Sequence, residues 1–338
     1  MAIVALAAGD AQWSAPVVGA QPSEETFVVT SSDDSGPGSL RWAIDSANGN
    51  GPEHDLISFA IPSPPGEVPP LIGLQSALRV TTSMTIDGTT QGTAGGPSIR
   101  ATVHHSFEIL QARNVTVRGL SVLSDSRITS VVVGLGASDV VIEDNEFRVL
   151  GYDNGRAEGF AIFVLGDRVL VQRNDIATAG SGVVVGYQSS AAELFEGVVI
   201  RDNHIHGAGP GHEGLPHPGH YGVELRAESY GTQVGPGNVI EGHTYANISV
   251  THAQRNVVIG NEIGSPTLSE GVGVELTRDA SFNGVFGNSL AGNDAGGVAL
   301  TVGASSNWVL GNNIGGNPSQ TASVGTQAHG VILGGDSQ

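Results

Sequence analysis

Seven asparagines constrain this chain more than any other feature. Asn145, Asn174, Asn203, Asn238, Asn261, Asn288 and Asn312 follow one another at intervals of 29, 29, 35, 23, 27 and 24 residues. Most close the same short apolar run: Val140-Val141-Ile142-Glu143-Asp144-Asn145, Val169-Leu170-Val171-Gln172-Arg173-Asn174 and Val198-Val199-Ile200-Arg201-Asp202-Asn203. The run recurs as Val257-Val258-Ile259-Gly260-Asn261 and Trp308-Val309-Leu310-Gly311-Asn312. A period of 20 to 50 residues marks a repeat architecture. Each interval carries a second apolar run, such as Gly182-Val183-Val184-Val185, Gly222-Val223-Glu224-Leu225, Gly273-Val274-Glu275-Leu276 and Gly297-Val298-Ala299-Leu300. Both runs alternate with period two and are bounded by glycine, so they read as strands. One coil of about 25 residues holding two or three short strands is the repeat of a parallel β-helix. Equivalent residues then stack about 4.8 Å apart, and the asparagines can bond in a ladder along the axis. Asparagine as a left-handed turn former is an equally open explanation.

Composition agrees with many tight corners between short strands: 50 of 338 residues are glycine and 5% are aromatic. A net charge of −19 argues against a nucleic-acid backbone or an anionic membrane surface as a partner, and an acidic ligand would need a local basic site. Without cysteine there is no disulfide, thiolate metal site or cysteine nucleophile. No apolar run approaches the roughly 18 residues needed for membrane insertion. Residues 1–25 read as a leader or the remnant of an export signal, with Val18-Gly19-Ala20 as a cleavage-like site, and 26–338 as one β-helix domain. Residues 26–62 form its N-terminal cap region, in which Ser39 is the expected N-cap of a helix through Asn48 with Leu40, Ala43, Ile44 and Ala47 on one face.

The order Phe27-Val28-Val29-Thr30, Asp34-Ser35-Gly36-Pro37-Gly38-Ser39-Leu40-Arg41, Asp55-Leu56-Ile57-Ser58-Phe59 and Met84-Thr85-Ile86-Asp87-Gly88-Thr89-Thr90-Gln91 resembles the N-terminal region of bacterial exported right-handed parallel β-helix repeat proteins of the pectin-lyase-like superfamily. Asn114-Val115-Thr116-Val117-Arg118-Gly119-Leu120 and the later asparagine runs extend the resemblance through Leu333. It implies an all-β, single-stranded right-handed parallel β-helix with a short N-terminal capping helix, secreted or at the bacterial cell surface. For function it implies only a range, from polysaccharide lyases, epimerases and hydrolases to adhesive proteins without chemistry. Such proteins often run on for further coils, so a fragment, or an oligomer formed through the C-terminal edge, is expected.

An insertion points to where chemistry sits. From the asparagine to the next Gly-Val-x-Leu run the distance is 9, 10, 13 or 10 residues in four coils but 20 from Asn203 to Val223. The extra loop holds His204, His206, His212, His217 and His220, with Glu213 and Tyr221. If Val223 and Leu225 point inward, Glu224 and Arg226 point out, and one column runs Phe163, Val184, Glu224, Ser249, Glu275, Ala299. Three readings follow. In an enzyme acting on a polysaccharide, Glu224 and Glu275 are the acid and base of a hydrolase; for a lyase or epimerase, Arg226 and Arg278 bind a uronate carboxylate while His220, His252 or Tyr221 exchanges the proton. In a metal protein, His204 and His206 share a face and chelate a transition metal, or Glu146 and Asp175 one rung apart hold Ca²⁺. In the third, the solenoid is a noncatalytic surface, carbohydrate-binding or adhesive protein. Five imidazoles near pH 6.5 would make the loop positive under mild acidification. His104-His105 reads as a corner rather than a ligand pair.

Overall fold

The structure, a computed structural model, describes residues 24–62, 70–92, 99–103, 106–125, 128–150, 159–187, 194–207, 219–265, 271–315 and 329–334. Residues 1–23 of the expected leader 1–25, and His104, His105, His212, Glu213 and His217, lie outside them. Each coil contributes one strand to each of three parallel sheets, of 11, 10 and 10 strands. In one coil these are Ser138–Glu143 in the first sheet, Glu146–Leu150 in the second and Phe160–Val164 in the third; the next coil lays Asp167–Gln172, Asp175–Thr178 and Ser181–Val185 on them in register. A side pair, Phe195–Glu196 and Ser229–Tyr230, is separate.

Alternation along each strand sends one set of side chains inward, where they stack as columns. Val140 and Ile142, Phe147 and Val149, and Ile162 and Val164 are all fully buried, and their equivalents repeat in coil after coil. Each such side chain contributes roughly 1.5–3 kcal/mol of burial, so the core is a long apolar cylinder rather than a globule.

The asparagine ladder is present. The Nδ2 of Asn145 donates to Asn174 Oδ1, Asn174 to Asn203, Asn203 to Asn238, Asn238 to Asn261, Asn261 to Asn288 and Asn288 to Asn312, over distances of 2.8–3.1 Å. The left-handed conformation belongs instead to the preceding residue: Asp144, Arg173 and Asp202 have φ of 52–55°, and Gly237, Gly260, Gly287 and Gly311 take the place in later coils. The turn therefore divides the labour between a left-handed residue and an asparagine that seals the corner. A second ladder, Asn256 to Asn283 to Asn307, lines the corner before the first sheet with the same grammar, since Arg255, Phe282 and Ser306 precede it at φ 55–58°.

The helix Leu40–Asn50 covers the N-terminal end. Trp42 N–H donates to Ser39 Oγ at 3.1 Å, and Leu40, Ala43, Ile44 and Ala47 are buried, as the sequence predicts. Arg41 ties it to the first coils by donating to Ala77 O, Ser76 O and Asp34 Oδ1. Ser39→Ala should therefore cost about 1 kcal/mol, read as a lower thermal midpoint. An unchanged midpoint would mean that Arg41 and the apolar face hold the helix without the cap.

Candidate active site

The outer face of the third sheet carries the site. Its strands Ser181–Val185, Gly219–Leu225, His243–Thr251, Val272–Thr277 and Gly296–Leu300 pair so that Val184, Glu224, Ser249, Glu275 and Ala299 form one column. Their neighbours Val183, Val223, Ile248, Val274 and Val298 are fully buried on the inner face. A one-residue register shift between Gly219 and Tyr221 breaks strict alternation, and His220 and Tyr221, though consecutive, both line the groove that opens there.

That groove has a volume of about 1040 Å³. Among its lining residues are His220, Tyr221, Glu224, Arg226, His252, Glu275 and Arg278, together with Tyr245 and Phe160. The sequence reading missed the last two. Tyr245 precedes Ala246, which pairs with Tyr221, so the coil offset would have found it. Its ring lies 5.1 Å from His220 and 5.6 Å from Tyr221, and half of the tyrosine is exposed.

The two groove glutamates have different environments. Arg226 Nη2 donates to Glu224 Oε2 at 2.9 Å in a nearly buried pair, and the guanidinium lies 5.0 Å over the Phe160 ring. Glu224 thus has a fixed counter-charge. Burial instead pushes the Glu275 carboxyl above its ordinary value, only partly opposed by Arg278. Two rungs separate these residues, roughly 10 Å by strand spacing, with Ser249 between them. Burial also lowers His220, favouring neutral imidazole, and burial with the nearby Glu224 and Glu275 pushes Tyr221 up to about 12. Among the described residues Arg278 makes no hydrogen bond or ion pair, leaving its guanidinium available to a ligand. His252 and Arg278 both sit at strand ends in the left-handed region, at φ 57° and 50°.

His204 and His206 do not join this groove; they lie on the second sheet, stacked with ring centroids 4.5 Å apart, beside Asp175 of the previous coil. Two of the loop imidazoles shift in opposite directions. Asp175, then Glu241, pushes His204 up to about 9, whereas burial shifts His220 down, so these two do not change charge together. The stack of Glu146 and Asp175, expected to hold Ca²⁺, forms in register but already contains a cation: Arg148 Nη2 reaches Glu146 at 2.7 Å and Asp175 at 2.6 Å.

A family model described as the right-handed β-helix region matches residues 85–263, more than half of the chain. The chain belongs to the right-handed parallel β-helix family. Within that family a second model, described as periplasmic copper-binding protein (NosD), matches residues 217–332. That span contains neither cysteine nor methionine, and its His243 is fully buried with Nδ1 bonded to Asn247. Among the described residues the one three-residue group suited to a metal, Asp175, His204 and His206, lies before the span.

Solved β-helices resemble the whole chain. An alginate lyase from Paenibacillus sp. str. FPU-7 is 13% identical with a TM-score of 0.54, covering 93% of this chain and 99% of its own. A DFA-IIIase from Arthrobacter chlorophenolicus A6, in complex with GF2, is 15% identical with a TM-score of 0.54 over 92% of each chain. The A-module of an Azotobacter vinelandii mannuronan C-5 epimerase is 14% identical with a TM-score of 0.50, covering 93% and 99%. At such identities the likeness is one of fold. No curated protein matches the chain by sequence. No helix among the described residues is long and apolar enough to cross a membrane.

Proposed function

We propose that the groove hydrolyses a glycosidic bond in a polysaccharide outside the cytoplasm, with Glu275 as general acid and Glu224, held by Arg226, as the base that activates water. The observation that carries this reading is the divergence of two carboxyls on one face. Arg226 gives Glu224 a fixed positive partner, while burial favours a proton on Glu275. Two carboxyls on one face in unlike surroundings suit the separate roles of acid and base. A separation of two rungs, roughly 10 Å between backbones, leaves room for water between the carboxyls and favours inversion at the anomeric carbon over a covalent intermediate. Tyr245 offers a sugar-stacking face beside them.

A second reading rests on Arg278. A guanidinium that no described residue pairs suits a uronate carboxylate, and neutral His220 beside protonated Tyr221 suits proton exchange at the adjacent carbon, as in a lyase or epimerase. The alginate lyase and mannuronan epimerase that share the fold act on such polymers by their titles, which makes uronate glycans the first substrates to try.

One experiment separates the readings. The protein is incubated with a panel of neutral and uronate polysaccharides, and reducing ends, ultraviolet-absorbing unsaturated ends and the anomer first formed are followed. New reducing ends of inverted configuration without unsaturation support hydrolysis; unsaturated ends, or epimerised residues without cleavage, support the second reading. Binding without turnover on every glycan would overturn both and leave a noncatalytic carbohydrate-binding solenoid. Tyr245→Ala should raise KM roughly 3- to 10-fold with kcat little changed, since stacking is worth about 0.5–1.5 kcal/mol. An equal loss in kcat would instead place Tyr245 in the chemical step.

A further inference from the structure

The second sheet carries an unassigned cluster. Asp175, His204 and His206 come from two adjacent coils, with Asp175 directly beside His204 in register and diagonal to His206. Asp175 Oδ1 lies 3.2 Å from His204 Nδ1 and 3.3 Å from His206 Nε2, and one donor atom from each residue falls within 4.8 Å of the others. Zinc–nitrogen and zinc–oxygen bonds of about 2.0–2.2 Å at tetrahedral angles put ligand atoms roughly 3.4 Å apart, close to this spacing. Asp175 Oδ1 is buried, with a nitrogen of each ring within 3.3 Å of it.

The surroundings favour a cation at that point. Glu241, from the coil above, places Oε1 3.3 Å from His204 Nε2. A proton on His204 Nδ1 balances the two carboxylates, and a divalent ion bound there would displace that proton and supply the positive charge in its place. Arg148 holds the other oxygen, Oδ2, at 2.6 Å and so fixes the carboxylate plane. Carboxylates and guanidiniums that orient ligands in this way are the usual outer partners of a metal site.

We propose that Asp175 Oδ1, His204 Nδ1 and His206 Nε2 bind a divalent transition-metal ion of the zinc type, with Glu241 and Arg148 orienting the ligands and a fourth position left to water. Two imidazoles and one carboxylate are a borderline donor set that suits zinc or copper better than calcium. The site is on a different sheet from the groove, and its existence does not depend on the proposed hydrolysis.

The test uses the full chain without a histidine tag, freed of metal by chelation and titrated with zinc chloride alone by calorimetry, with bound metal counted after dialysis. One ion per chain is expected. Asp175→Asn and His206→Gln should each weaken binding at least 100-fold while their circular dichroism stays that of the parent; Glu241→Gln should weaken it about 10-fold, in keeping with an orienting role. Stoichiometry well below one would overturn the proposal. So would one ion held as tightly by folded Asp175→Asn and His206→Gln, since the ion would then sit among other histidines.

Discussion

Glu275→Gln is expected to lower kcat on the cleaved polysaccharide by about 10²- to 10⁴-fold, the usual contribution of a general acid. Glutamine keeps the volume and a hydrogen-bonding end but has no proton to deliver to the leaving oxygen. The pH dependence follows from the same group. Burial raises the folded pKa of Glu275 above its ordinary value of 4.5, so the folded chain keeps a proton that the unfolded chain has released. The stability tied to this proton is complete below pH 4.5 and is lost as pH rises through the folded pKa. At neutral pH the parent bears that loss and the glutamine variant does not. Glu275→Gln should thus be inactive yet at least as stable as the parent at pH 7, and the activity of the parent should fall on the alkaline side as Glu275 ionises. A variant that keeps turnover, or one that loses turnover by unfolding, would remove Glu275 from the role of acid.

The largest stability effect belongs to the middle of the ladder. Asn203 Oδ1 accepts from the N–H and Nδ2 of Asn174, both at 3.0 Å, and its own Nδ2 donates to Val171 O, Arg201 O and Asn238 Oδ1 at 2.9–3.1 Å. All of this lies in a corner where Asn203 is 2% exposed. Alanine there strands the Asn174 N–H and several carbonyls away from water, at a cost of about 3–4 kcal/mol. Aspartate should be worse still, because it keeps the volume but faces carbonyl oxygens with a charge. Asn312→Ala, at the far end of the ladder and partly exposed, should cost only about 1 kcal/mol, since water replaces what is lost. Urea unfolding of the three variants checks this gradient; a loss below about 1 kcal/mol at Asn203 would show that the ladder follows the fold rather than holding it. A break in mid-solenoid should also broaden the transition, because each coil is stabilised only by its neighbours.

Reading the chain as coils was enough to place the column Phe163, Val184, Glu224, Ser249, Glu275, and the structure reproduces it pair by pair. The groove is legible for the same reason. A period-two strand has only two faces, so once Val223 and Val274 are assigned to the core, the neighbouring glutamates must look out. Other features needed coordinates. No spacing shows that Arg148 reaches between Glu146 and Asp175, because a long side chain chooses among several neighbours on two coils. Nor does a spacing show that His204 turns one nitrogen to Asp175 and the other to Glu241, 37 residues further along.

What the sequence by itself determined is the order of things along the axis: the β-helix, its capping helix, the stacked asparagines and the face on which Glu224 and Glu275 meet. These depend on local alternation and on a period, and both are written in the chain. Tertiary structure alone decided the electrostatics. Which glutamate keeps a counter-charge, which is pushed toward protonation and which histidine is held charged all depend on burial and on partners one coil away. Those quantities arise between coils, where side chains from distant segments compete for the same few ångströms.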